Sequence, residues 1–198
     1  MVFSRRFFLA SSLAAWSAGA CARAFAQSKA VAPPLLQRAV AALDRHRDSI
    51  EHRDVIGVAD FSLPSRAARF HVVNLADGHV NSYLVAHGRG SDPTHTGWLE
   101  RFSNDPGSYA TSSGAFRTGS LYGGAHGRSM RLDGLDATNS NAAARAIVVH
   151  GAWYVSEAMI GQSGMLGRSE GCFAVSNSRL GEIIAALGPG RLIYADRA

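Results

Sequence analysis

The chain has 198 residues, 46% of them hydrophobic and 18% charged, with a formal net charge of +5. That composition fits one globular domain and excludes disordered, collagenous and coiled-coil proteins. No apolar run reaches the ~18 residues needed to cross a bilayer, which excludes a polytopic membrane protein.

Ser4-Arg5-Arg6-Phe7-Phe8-Leu9 opens the chain and resembles a twin-arginine export motif. An apolar, small-residue stretch follows to Ala20, and Ala24-Phe25-Ala26 supplies the A-x-A pattern that signal peptidase cuts. Residues 1–26 are therefore expected to be a signal peptide, and the protein to be exported to the periplasm or cell envelope. Ala18-Gly19-Ala20-Cys21 is the alternative, a lipoprotein-type site. Cleavage removes Arg5, Arg6 and Arg23 but no acidic residue, taking the net charge from +5 to +2. The remaining arginines are mixed with acids, as in Arg45-His46-Arg47-Asp48, and no basic run is interleaved with aromatics. Nucleic-acid binding has no footing in such a pattern. Cleavage also removes Cys21 and leaves Cys172 as the only thiol. In an oxidising compartment most cysteines are paired, so a lone one is either buried and inert or retained for its chemistry.

Residues 27–54 read as an N-terminal helix or linker. Pro33-Pro34 can start a helix, and Leu36, Val40, Leu43 and Ile50 give it a packing face along residues 35–50. Strands follow at 55–61 and 69–75, and Asp77-Gly78 joins the second to a strand over 80–85 as a hairpin. Residues 88–110 form a long polar loop, expected to be pinned by Trp98, Leu99 and Phe102. Short strands resume at 114–118, 129–132 and 146–149, the last apolar on both faces and so interior. Ser178 is placed to cap a final helix striped by Leu180, Ile183, Ile184 and Leu187 and stopped by Gly188-Pro189. Arg191-Leu192-Ile193-Tyr194 reads as a last strand. Many short strands and few helices imply a mainly β barrel or sandwich spanning 55–198.

Chemistry concentrates at two points. His150 ends the buried strand, and Cys172 sits in Gly167-Arg168-Ser169-Glu170-Gly171-Cys172. A free thiol with a pKa of about 8.5 is only a few per cent ionised at neutral pH, so a nucleophilic cysteine needs a neighbouring base. Attack on an amide carbonyl also creates an oxyanion, which the N–H groups of Gly171 and Cys172 in the Ser169–Cys172 turn are placed to meet. The residues alone leave two readings open: a secreted cysteine enzyme, or a core cysteine beside a structural histidine.

The segment Arg145-Ala146-Ile147-Val148-Val149-His150-Gly151-Ala152-Trp153-Tyr154-Val155-Ser156, with the Cys172 loop, resembles the catalytic domain of the murein L,D-transpeptidases (YkuD-type). Leu84-Val85-Ala86-His87-Gly88-Arg89-Gly90-Ser91 and His126-Gly127-Arg128-Ser129-Met130-Arg131-Leu132-Asp133-Gly134-Leu135 are similar to one branch of that family, and the likeness covers roughly residues 55–196. The resemblance implies a β-barrel or sandwich domain that acts on peptidoglycan stem peptides. Cys172 would take the acyl group as a thioester, D-alanine would leave, and a second stem's amine would form a 3→3 cross-link. Water as acceptor would make it an L,D-carboxypeptidase. His150 would be the base, with Ser169 and Gly171 shaping the loop. Gly151, Arg168, Tyr154, His126 and Arg145 are the candidate substrate-binding residues, and His87 is a further cleft candidate.

The chain departs from the family pattern twice. Many members carry histidine where Glu170 stands, and Arg or Asn where Ala174 stands. A carboxylate beside the thiol opposes its ionisation unless it points away. These departures motivate a rival reading, a non-catalytic wall-binding module. No His-Glu-x-x-His or comparable ligand spacing occurs, so no metal or other cofactor is expected. A monomer is expected.

Overall fold

The computed structural model describes residues 30–198. The expected export signal and Cys21 lie outside them.

The first helix, α1 (Pro33–Arg45), begins on two prolines, whose fixed φ suits the first turn and whose missing N–H would have no partner there. Leu35, Leu36, Ala39, Ala42 and Leu43 form its buried stripe. The helix ends five residues short of the expected boundary, and Ile50 is buried from the turn that follows.

Nine strands make one mixed sheet: β1 (Val55–Asp60), β2 (Phe70–Asn74), β3 (Val80–Tyr83), β4 (Val85–Ala86), β5 (Gly114–Gly124), β6 (Gly127–Gly134), β7 (Val148–Ala152), β8 (Phe173–Ser176) and β9 (Leu192–Asp196). Their order is β3-β2-β1-β9-β5-β6-β7-β8-β4, so the sheet is open, with β3 and β4 at its edges. The described residues are mainly β, as expected, with three helices. Gly78, at φ 75°, makes the expected turn between β2 and β3.

The two faces of the sheet have different cover. Along β1, Ile56 and Val58 turn to one face and join α1, Val73, Ala115, Leu192 and Tyr194 in an apolar cluster. The opposite face carries Ala59, Phe70, Phe116, Ile193, Val149, Phe173 and Val175 in the main core, closed by Ile183, Ile184 and Leu187 of α3 (Leu180–Leu187). This core unites strands from both halves of the order, so the sheet curls around it. Phe173 is the joint: its ring meets Phe116 edge-on at 5.3 Å and Phe61 at 6.2 Å.

β5 and β6 extend beyond their other neighbours. β9 pairs only with 114–117 of β5, and β7 only with 129–131 of β6. Outward of the Tyr122–Ser129 pair, beyond a register shift between Thr118 and Leu121, the two strands pair with each other alone, through Gly123–Arg128 and Gly124–Gly127. They form a two-stranded arm whose turn is Ala125-His126.

Several local expectations are corrected. Trp98 does not pin the 88–110 loop: it is 46% exposed, and buried Leu99 and half-buried Phe102 hold the loop instead. Ser178 does not cap α3; Arg179 occupies the cap with no side-chain bond, and the Ser178 hydroxyl pairs with Ser176. The strand expected at 146–149 runs from Val148 to Ala152, because Ala146 takes a left-handed φ of 53° that no strand accommodates. The helix α2 (Glu157–Ser163) was not expected, since none of its residues is fully buried and it has no apolar stripe. It forms on its caps: Ser156 Oγ accepts from the Met159 N–H, and Gly164 closes it at φ 75°. No helix of the described residues is long and apolar enough to cross a membrane.

Candidate active site

β7 and β8 run parallel, with Val149 opposite Phe173 and His150 opposite Ala174. Side chains alternate across a strand, so Val149, Phe173 and Val175 enter the main core while His150 and Ala174 turn to the other face. Cys172, two residues before Ala174, falls on the His150 side. Both residues line one cleft of about 520 Å³. Cys172 is only partly buried, so the sulfur is open to a ligand.

The imidazole has a defined tautomer. His150 Nδ1–H donates to the Gly151 carbonyl at 2.9 Å, which leaves Nε2 with the lone pair. The thiol of Cys172 donates to the Ala146 carbonyl at 3.5 Å, which the left-handed backbone at Ala146 turns toward it. Burial pulls His150 below its ordinary pKa, with nearby His126 acting the same way and the Gly151 bond opposing. Burial pushes the Cys172 thiol up and Glu170 adds to that, against the Val148 N–H and Arg145. Both directions favour a neutral thiol and a neutral imidazole in the shared cleft, rather than a resting ion pair.

Ser169 and Gly171 shape the loop. The Ser169 hydroxyl donates to the Cys172 carbonyl at 2.7 Å and accepts from the Gly171 N–H at 3.2 Å. That bond removes the Gly171 N–H from the oxyanion role expected for it and leaves the Cys172 N–H of the expected pair. Gly171 has φ 116°, and a Cβ there would lie 2.7 Å from the Ala110 carbonyl. A Cβ at Gly88 would lie 2.8 Å from the Gly171 backbone. The two glycines let the 88–110 loop pass directly beneath the cysteine turn.

Arg145 lines the cleft, but its donors are turned to the loop: Nη1 to Ser103 O at 2.8 Å and Ser112 Oγ at 2.7 Å, Nη2 to Ala110 O. Arg168 also lines the cleft and donates to the carbonyls of Asp92 and Pro93. Tyr154 forms a wall, its phenol pushed up to about 12 by burial and by its neighbours Cys172 and Glu170. His126 reaches over from the arm and stacks on His150. Gly151 is not on the lining; a Cβ there would strike Asn177 at 2.3 Å, and its carbonyl orients His150. Glu170 is held outward by Arg89 at 3.1 Å, and the Arg89 guanidinium lies 3.8 Å over the Tyr109 ring. Ala174 is fully buried among Ala86, Ala152, Val155 and Leu166, which leaves no room for a longer side chain.

His87 does not line the cleft. It lies 1% exposed behind it, with Arg69 donating to Nδ1 at 2.8 Å and Nε2 paired with Asp92 at 3.2 Å. Asp92 also accepts from the N–H groups of Thr96 and Gly97. This network anchors the cysteine loop, because the backbone at 87–89 is bonded to Ser169 in both directions, at 2.9 and 2.7 Å. Sequence reading missed Arg69, Asp92, Arg89 and Tyr109, since no local spacing ties these residues to the site.

Burial, with the Arg69 charge, pulls His87 from 6.5 to about 4, with Asp92 opposing. A base depressed on folding takes its proton more readily when unfolded. The stabilisation is therefore complete above pH 6.5 and is lost as pH falls from 6.5 through about 4. Thermal melts of wild type and His87→Asn between pH 7.5 and 4 should show the gap between them narrow on acidification, by up to about 3 kcal/mol. A constant gap would contradict the assignment.

The sequence matches the family model for the L,D-transpeptidase catalytic domain over residues 27–195. Its fold is similar to three solved structures. An L,D-transpeptidase from Mycobacterium tuberculosis H37Rv is 18% identical with a TM-score of 0.43, covering 73% of this chain and 58% of that one. An L,D-transpeptidase from Mycobacterium smegmatis is 17% identical with a TM-score of 0.42, covering 72% and 58%. The helical cell shape determining protein Pgp2 from Campylobacter jejuni is 12% identical with a TM-score of 0.49, covering 84% and 57%. The chain thus spans less than three fifths of the length of each. No curated protein matches the sequence.

Proposed function

The chain belongs to the L,D-transpeptidase catalytic domain family, and from that membership we propose an exported peptidoglycan L,D-transpeptidase with Cys172 as nucleophile and His150 as its base. The observation that carries this reading is the shared cleft: a reachable thiol and an imidazole with a free Nε2, on one face of two adjacent strands.

Nε2 takes the thiol proton as sulfur attacks the carbonyl that precedes the terminal D-alanine of a tetrapeptide stem. The Cys172 N–H meets the developing oxyanion. Collapse breaks the C–N bond, the imidazolium returns its proton to the leaving amine, and D-alanine departs. A second stem's side-chain amine then attacks the thioester, gives up a proton to His150, and leaves as a 3→3 cross-linked dimer with the thiol restored. Neither half-reaction changes oxidation state, and no cofactor is required. Arg168 and Tyr154 are the side chains offered to the stem. Residues 1–26 would direct export.

The test is incubation of the protein with disaccharide-tetrapeptide, followed by mass spectrometry. Release of D-alanine with 3→3 dimers is expected. D-alanine with tripeptide alone would identify water as the acceptor. Binding to isolated sacculi with every muropeptide unchanged would overturn the proposal and leave a wall-binding module.

A further inference from the structure

The arm formed by β5 and β6 reaches past both flanking strands, and its tip brings one ring into the cleft. His126 lies 4.2 Å from His150 between ring centroids, with the planes 21° apart. His150 is otherwise 2% exposed, and its one hydrogen bond, Nδ1–H to Gly151, fixes a single atom of the ring. One bond leaves the ring free to tilt about it; a stacked neighbour sets the plane.

We propose that His126 is a positioning residue: stacked from the arm, it fixes the plane of the His150 imidazole toward Cys172 and keeps water off that ring. The inference rests on His150 being the base. The arm's construction supports the role. Gly127 takes φ 70° directly after His126, and the side of Gly123 is open, so the tip turns without steric conflict. The root is braced where the Arg131 guanidinium lies 4.3 Å over the Tyr122 ring. His126 is the exposed member of the pair and His150 the buried one, so the stacked ring lies between His150 and the solvent beyond the arm.

The charged and titratable groups that share the cleft with His150 are His126 from the arm, Tyr109 from the 88–110 loop, Arg145 ahead of β7, Tyr154 after it, and Arg168, Glu170 and Cys172 from the cysteine loop. Among the described residues only His126 is stacked on the ring. Besides burial, His126 holds the His150 pKa down. Removing it makes His150 easier to protonate and moves the acid limb of the rate profile to higher pH.

The experiment is the pH profile of D-alanine release for wild type, His126→Ala and His126→Phe. His126→Ala is expected to lower the kcat plateau by about tenfold with KM little changed. It should also move the acid limb upward. His126→Phe keeps an aromatic face without charge; it should recover most of the plateau while its limb stays displaced. Equal losses for both variants with no movement of the limb would overturn the positioning role and leave a structural one. Full activity in His126→Ala would overturn it outright. Wild-type protein that releases no D-alanine refutes the proposed function itself, a result distinct from an active wild type with unaffected variants.

Discussion

Replacing Cys172 with alanine is expected to reduce D-alanine release by at least about 10⁴-fold, to the level left by binding alone. The replacement is nearly free of structural cost. The thiol has only backbone partners, the Ala146 carbonyl at 3.5 Å and the Val148 N–H, and the loop is held by Ser169 Oγ and by the backbone bonds of Ser169 to the 87–89 segment. The melting temperature should therefore stay close to wild type while activity disappears. Among the described residues Cys172 is the free cysteine, so no second thiol can take its place. Assay of stem cleavage alongside a thermal melt checks both halves. Residual turnover within tenfold of wild type would remove the sulfur from the chemistry.

The largest effect on stability is expected from Arg69. Its guanidinium is fully buried and divided among three acceptors: Val85 O, Leu63 O at 2.7 Å and His87 Nδ1 at 2.8 Å. Burial pulls its pKa down to about 9, with Asp60 and Asp92 opposing, so it remains charged at neutral pH. Arg69→Met keeps the volume but leaves three acceptors and two nearby carboxylates unanswered. Loss of a buried charged partner costs about 3–5 kcal/mol, which is a fall in Tm of about 10 °C for a chain of this size. Arg69→Lys should recover less than half of it, since an ammonium does not span the same acceptors. A shift below about 2 °C would show that the network does not brace the fold. Because that network holds the 87–89 backbone against Ser169, partial unfolding should begin at the cysteine loop and be visible as earlier loss of protection there in hydrogen exchange.

The parts legible in the sequence were those with short-range signatures. Helical spacing located α1 and α3, and Asp77-Gly78 located the β2–β3 hairpin. The apolar run ending in His150, with the glycine turn at Cys172, located both ends of the site. What escaped was long-range or set by the backbone. The β5–β6 arm reads as a broken strand, because Gly119, Gly123 and Gly124 look like turns when partner strands are unknown. The neutral state of the Cys172–His150 pair depends on burial, which spacing does not report. Glu170 does oppose a thiolate, as its position predicts, but its partner Arg89, 81 positions earlier, has no signal in the local sequence. The arginines were read as carboxylate ligands, yet Arg145 spends its donors on loop carbonyls supplied by residues 33 to 42 positions away.

The most direct measurement is the intact mass of the protein mixed with disaccharide-tetrapeptide in the absence of an amine acceptor, followed by peptide mapping. An acyl adduct lacking D-alanine, carried on the peptide that contains Cys172, is the predicted product. D-alanine release with the thiol persistently unmodified, or an adduct on any other residue, would contradict a covalent sulfur mechanism.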